Sequence, residues 1–167
     1  MALLSVLQFP DKKLRNKALP VEKFDASLLQ IVDDMFETMY EQSGVGMAAI
    51  QVDIKLRIIV IDVSEDKSAP LCVINPEIFF REGVQEEFEG CLSFPGVFDK
   101  VDRSDKIRFR AQDQHGKTYE MDAEGILSIC IQHELDHLDG ILFIDHLSRL
   151  KQDRLRKKLD KIRSRTY

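Results

Sequence analysis

Gln132-His133-Glu134-Leu135-Asp136-His137 sets two imidazoles four residues apart, with a carboxylate between them. In a helix, four residues rise about 6 Å and complete nearly one turn, so His133 and His137 share a face. Two ring nitrogens so placed can each reach one tetrahedral metal ion at about 2.0–2.1 Å. Glu134 stands about 100° round the helix from His133, close enough to act on a water molecule at that ion. The alternative is a core helix with two satisfied histidines. Against it, Glu124–Leu138 is largely apolar up to His133 and reads as a central buried helix. Burying His, Glu and His there without partners would be costly, so a metal is the natural partner.

Two protein ligands leave a third to be found. In the pattern HExxHxxGxxH, Gly140 fits the glycine but Phe143 stands where the third His belongs. No Glu follows Glu134, which removes the other common downstream ligand. Asp145 and His146 follow the helix too closely to fold back easily. Cys130 lies one turn before His133, but ligands at 130, 133 and 137 would spread over roughly 10 Å, so Cys130 reads as a small apolar wall residue. An upstream ligand remains, and the candidate is Cys91 in Glu89-Gly90-Cys91-Leu92-Ser93, beside a glycine that lets backbone approach closely. An isolated Cys is usually a buried hydrophobe; the incomplete His₂ site favours the ligand reading.

Three segments now stand in order: Gly44-Val45-Gly46-Met47-Ala48-Ala49-Ile50-Gln51, EGCLS at 89–93, and HELDH with Gln132 before it and Leu138-Asp139-Gly140 after. Together they resemble the three motifs of the peptide deformylases, and the likeness extends to Phe9-Pro10-Asp11, Leu14-Arg15 and the C-terminal helix. The resemblance implies hydrolysis of the formyl group from N-formylmethionyl polypeptides. It implies Fe²⁺ on Cys91, His133 and His137, with Zn²⁺, Ni²⁺ or Co²⁺ as replacements and Glu134 as general base. The Gln51 amide and the Leu92 backbone N–H would stabilise the oxyanion. Gly44, Val45 and Gly46 would lie against the substrate backbone, and Ile129, Cys130 and His133 would wall the methionine pocket. Arg103 could pair with Glu89 and fix the Cys91 loop. Phe98 takes a place where many members carry a substrate-binding Arg, so recognition beyond methionine should be more apolar here. An endopeptidase with the same HExxH, or a non-catalytic metal-stabilised module that binds RNA, are the rival readings.

The elements that must position these groups are legible in outline. Leu28, Leu29, Ile31, Val32, Met35, Phe36 and Met39 recur at helical spacing between Ser27, a candidate N-cap, and Gln42. Asp11–Lys23 reads as loop, and Ser43–Gln51 need not be regular. Leu56–Val63, Cys72–Ile74, Ile78–Phe88, Lys106–Gln112 and Lys117–Met121 read as strands, with turns at Asn75-Pro76 and at Gln114-His115-Gly116. A last helix should run from about Leu147 to Arg163. Antiparallel strands around the HExxH helix, then a C-terminal helix, make an α+β fold.

The 167 residues suit one domain, with 1–148 as the catalytic body and 149–167 as a basic helix extending it. Composition, 44% hydrophobic and 32% charged, is that of a soluble globular protein, not a disordered one. Residues 149–167 carry nine basic groups and two acidic ones, a local +7, whereas the other 148 residues hold 15 basic and 27 acidic, a body of −12. That split excludes a uniformly basic nucleic-acid binder, and no specific DNA partner is expected. A basic tail attracts phosphates, and in similar bacterial deformylases this helix contacts the ribosome. No apolar run is long enough to span a bilayer, Met1–Phe9 lacks the marks of a secretory signal, and three cysteines form no disulfide framework. A cytoplasmic location with no membrane partner is the expectation.

Overall fold

The computed structural model describes residues 2–166, so Met1 and Tyr167, the last residue of the basic segment, lie outside the described residues. Seven strands and three helices follow one another: α1 (Ala26–Glu41), β1 (Gly46–Ala48), β2 (Ile58–Ile61), β3 (Leu71–Glu82), β4 (Gln85–Cys91), β5 (Phe94–Arg103), β6 (Lys106–Gln112), β7 (Thr118–Glu124), α2 (Gly125–Leu138) and α3 (Arg149–Thr166). Short 3-10 turns occupy Lys12–Arg15, Ala49–Val52 and Phe143–His146. Five strands form an antiparallel sheet in the order β1-β2-β3-β6-β7, and β4 and β5 form a separate hairpin. This is the expected α+β class.

The sheet is covered on both faces, and β2 shows how. Its four residues are all buried, which a run of Ile and Val can satisfy. Ile59 and Ile61 join Val73, Phe109, Ile131 and Leu138 in the core shared with α2. Ile58 and Val60 join Leu28, Val32, Met35 and Met39 in the core shared with α1. A third core gathers Phe9, Phe94, Val97 and Phe143 under α3, closed by Leu155 and Leu159. The HExxH helix is therefore pressed between the sheet and the hairpin.

Several boundaries differ from the sequence reading. Helix α1 is capped by Asp25, whose carboxylate accepts from the Leu28 N–H, and not by Ser27. Asn75-Pro76 does not end a strand. Asn75 adopts φ 52° in a bulge inside β3, and its side chain binds both the N–H and the C=O of Val21. The stretch 78–88 is two strands, because Gly83, at φ 69°, turns the chain from the sheet into the hairpin. Strand β5 was not expected: Pro95-Gly96 reads as a turn, and although Val97, Val101 and Arg103 share one buried face, Phe94 is out of step with them and the polar Asp99 and Arg103 blur the alternation. Ser43–Gln51 contains β1 and a 3-10 turn, and another such turn lies within Asp11–Lys23. Helix α3 begins at Arg149, after Leu147, and Leu150 is exposed.

Candidate active site

Helix α2 delivers His133, Glu134 and His137, all buried, to the floor of a cleft of about 880 Å³. The hairpin brings the third group. Cys91 ends β4 and pairs with Phe94 across a two-residue turn, Leu92-Ser93. Its Sγ lies 3.4 Å from His137 Nε2, and one ligand atom from each of Cys91, His133 and His137 falls within 4.8 Å of the others. Ligands of a tetrahedral ion stand about 3–4 Å apart, so the set fits one with modest closure. The donor chemistry fits as well, since one thiol and two imidazoles suit a borderline-soft divalent cation. Two buried polar atoms at the site, Glu134 Oε1 and His137 Nδ1, have no hydrogen-bond partner among the described residues, although Glu134 Oε1 stands 4.0 Å from His137 Nε2.

Behind the ligands lies a charged support. Glu89 Oε1 is 2.8 Å from His133 Nδ1, which turns the other ring nitrogen toward the site. Arg103 donates to both oxygens of Glu89 at 2.8 and 2.9 Å, and through its remaining nitrogen to Asp136 at 2.7 Å. This is the Arg103–Glu89 pair expected from the sequence. His146 Nε2 reaches the same Asp136 oxygen at 2.8 Å. Gln132 fastens the helix from behind, accepting from the Ser104 N–H and donating to the Ser104 carbonyl.

Burial dominates the electrostatics. It lifts the Glu134 carboxyl to about 7, with the charges of Glu89 and Asp136 adding and those of His133 and Arg103 opposing. It also pushes His137 well below the ordinary imidazole value, helped by the positive charge of His133. At His133 burial acts the same way, but hydrogen bonds with Cys91 and Glu89 outweigh it and raise the group. Burial together with the Glu134 charge pushes the Cys130 thiol up to about 12, in keeping with an inert wall residue.

Gly44, Val45, Gly46, Gln51, Cys91, Leu92, Ile129, Cys130, His133 and Glu134 all line the one cleft, and His137 lies buried beneath it. Gln51 is pinned by its carbonyl, which accepts from the Ala48 N–H, while its Nε2 faces Cys91 Sγ at 3.5 Å and Ser93 Oγ at 3.2 Å. A Cβ on Gly46 would stand 2.9 Å from Glu134 Oε2, so only glycine lets β1 pass so near the carboxylate. Ser93 and Asp136 were not singled out from the sequence. Both lie inside quoted motifs, and an acidic residue on the back of an apolar helix was the available sign for Asp136.

A family model described as polypeptide deformylase matches residues 3–153. The peptide deformylase of Hahella chejuensis is 56% identical over 162 residues, 96% of each chain. This chain belongs to the peptide deformylase family. Peptide deformylases are metal-dependent hydrolases that remove the formyl group from N-formylmethionyl peptides. The crystal structure of a peptide deformylase from Legionella pneumophila superposes with a TM-score of 0.95 at 47% identity, covering 99% of this chain and 98% of that one. That of a peptide deformylase from Ehrlichia chaffeensis in complex with actinonin does so with a TM-score of 0.91 at 40% identity, covering 96% and 98%. No helix among the described residues is long and apolar enough to cross a membrane.

Proposed function

We propose that Cys91, His133 and His137 hold the metal of this deformylase and that Glu134 moves the proton in the reaction. The observation that carries the reading is the convergence of those three ligand atoms beside a buried carboxylate, one oxygen of which has no hydrogen bond among the described residues. Fe²⁺ is the ion proposed here, and the same donors would accept Zn²⁺, Ni²⁺ or Co²⁺. When bound, such an ion supplies Lewis acidity at the formyl group and lowers the pKa of water beside it. Glu134 takes a proton from the attacking water and returns it to the departing amine, leaving formate and a free methionine amino terminus. The Gln51 amide and the Leu92 N–H donate to the formyl oxygen as negative charge develops there. Gln51 is suited to this because Ala48 fixes which end of its amide faces the site. Edge strand β1 and the preceding residues, through Gly44, Val45 and Gly46, accept the peptide backbone as an added strand. Ile129 and Cys130, with His133, enclose the methionine side chain.

Anaerobic purification, elemental analysis and a formate-release assay on formyl-Met-Ala-Ser, all on one sample, test this. Wild type should carry one ion per chain and turn over. Glu134→Ala should keep the ion and lose on the order of 10²–10⁴-fold in kcat. Undiminished turnover with the ion retained would overturn the assignment of the base.

Newly made polypeptides are the substrates, and the basic face of α3 is proposed to hold the enzyme at the ribosome. Lys151, Arg154, Lys157, Lys158, Lys161 and Arg165 are all exposed, whereas Leu155 and Leu159 face the core. In this reading residues 1–148 are the catalytic body and 149–167 extend the same domain. Three free cysteines fit a cytoplasmic setting.

A further inference from the structure

Leu7, Gln8 and Phe9 run between the two segments proposed to supply the oxyanion donors, and each bonds to one of them. The Leu7 N–H donates to the Gln51 carbonyl at 2.7 Å, and the Phe9 N–H donates to the Ser93 carbonyl at 2.9 Å. Between them, the Gln8 side-chain amide donates to the Leu92 carbonyl at 3.2 Å. A longer bond to the Val6 carbonyl, at 3.3 Å, steadies the same amide. The acceptors on both segments are backbone carbonyls, so this strap takes up neither the Leu92 N–H nor the Gln51 amide. It is fastened at both ends. Leu4 donates its N–H to Thr38 Oγ1 on α1 at 2.9 Å, and the Phe9 ring stacks on Phe94 of β5 with centroids 4.7 Å apart. Gln51 sits in a 3-10 turn next to β1, whereas Leu92 belongs to the hairpin, which shares no ladder with that sheet. Their segments meet through side chains at Gln51 Nε2 and Ser93 Oγ, and the strap joins their backbones.

We infer that Gln8 is a positioning residue for deformylation: as the side-chain member of the strap, it holds the Leu92-Ser93 turn at the spacing from Gln51 that a shared oxyanion requires. This rests on the proposed oxyanion roles of Gln51 and Leu92. Two donors stabilise one developing charge only when both stand about 2.7–3.1 Å from the place where it forms. A donor displaced by a fraction of an ångström gives up part of that stabilisation, and the loss falls on the transition state more than on bound substrate. Gln8 is exposed and lies outside the cleft lining, so it acts through the turn and not on the substrate. Of the three bonds, its own is the one that a substitution can remove.

The test measures kcat and KM on formyl-Met-Ala-Ser for Gln8→Met, which keeps the length and loses the donor, and for Gln8→His, which keeps a ring N–H at similar reach. Gln8→Met should lower kcat by roughly three- to tenfold with KM changed less than about twofold. Gln8→His should recover most of that loss. Both variants should keep the wild-type metal content and melt within about 3 °C of wild type, because the lost bond is exposed. The same pair of substitutions made on Gln51→Ala shows whether Gln8 acts through the oxyanion donors. Gln51→Ala alone should cost about 10²-fold in kcat or more, and adding Gln8→Met should then cost only about twofold. Wild-type kcat in Gln8→Met, no recovery in Gln8→His, or the full Gln8→Met factor persisting on Gln51→Ala would each overturn the inference. Undiminished kcat in Gln51→Ala would instead strike at the oxyanion assignment itself, and at this inference with it.

Discussion

The most consequential residue outside the cleft is Arg103. Its guanidinium is buried and holds Glu89 with two bonds and Asp136 with one, so it supports both the His133 side and the far side of α2. Removing it leaves two carboxylates facing each other without their cation. Arg103→Met should therefore cost about 3–5 kcal/mol in denaturant unfolding and reduce the metal content of purified protein. Arg103→Lys should rescue only part, because an ammonium cannot span both oxygens of Glu89 and still reach Asp136. The site was unevenly legible from sequence at this scale. His133, Glu134 and His137 were readable because one helix fixes their geometry, and Cys91 followed once the other ligands failed. Gln51 and Leu92 came only through resemblance, since the role proposed for them depends on backbone geometry that no residue type announces. Asp136 and Ser93 escaped because their partners lie 33 and 42 residues away in the chain.

Among the elements, α1 and β2 meet at a polar joint. Tyr40, in the last turn of α1, donates its hydroxyl to Asp62, just past β2, at 2.6 Å. Burial, then the hydrogen bond and charge of Asp62, raise the phenol from 10.0 to about 12. A raised phenol favours the fold while it stays protonated. Its contribution is complete below pH 10 and lost as pH climbs from 10 toward 12, because the unfolded phenol ionises first. Wild type should thus exceed Tyr40→Phe in stability by about 1 kcal/mol at pH 8, and urea unfolding should show that margin shrinking above pH 10. A margin constant to pH 12 would contradict the assigned partner. The elements themselves were readable where one face is buried in strict period, as in α1 and β6. They failed where tertiary structure overrides local signals. Asn75-Pro76 looks like a stop until Val21 supplies the side-chain partners that let β3 continue. Strand β5 hides behind Pro95-Gly96 and behind the polar residues Asp99 and Arg103 on its inward face.

For the whole molecule, α3 is both wall and surface. Leu155 and Leu159 complete the core around Phe94 and Phe143, Arg163 donates to the Phe9 carbonyl, and Arg156 lies over the Phe9 ring. Cutting the chain at 148 would therefore unseat the fold along with any docking function. Leu159→Ala should alone cost about 2–5 kcal/mol in thermal unfolding. Glu at positions 157, 158 and 161 in place of Lys should leave both that stability and formyl-peptide turnover intact, while weakening co-sedimentation with ribosomes; unchanged co-sedimentation would refute the docking reading. The β4–β5 hairpin has a different relation to the rest. It shares no ladder with the five-stranded sheet, yet it contributes Cys91, 42 positions before His133. An ion held by both, as proposed, would be a detachable cross-link across a long loop, and closing a loop of that length is worth up to about 4 kcal/mol. Chelation should then melt the molecule unevenly. Amide hydrogens of β4 and β5 should exchange faster at once, while those of β2 and β3 keep their protection, so that the clip fastening the hairpin and the centre of catalysis are withdrawn together.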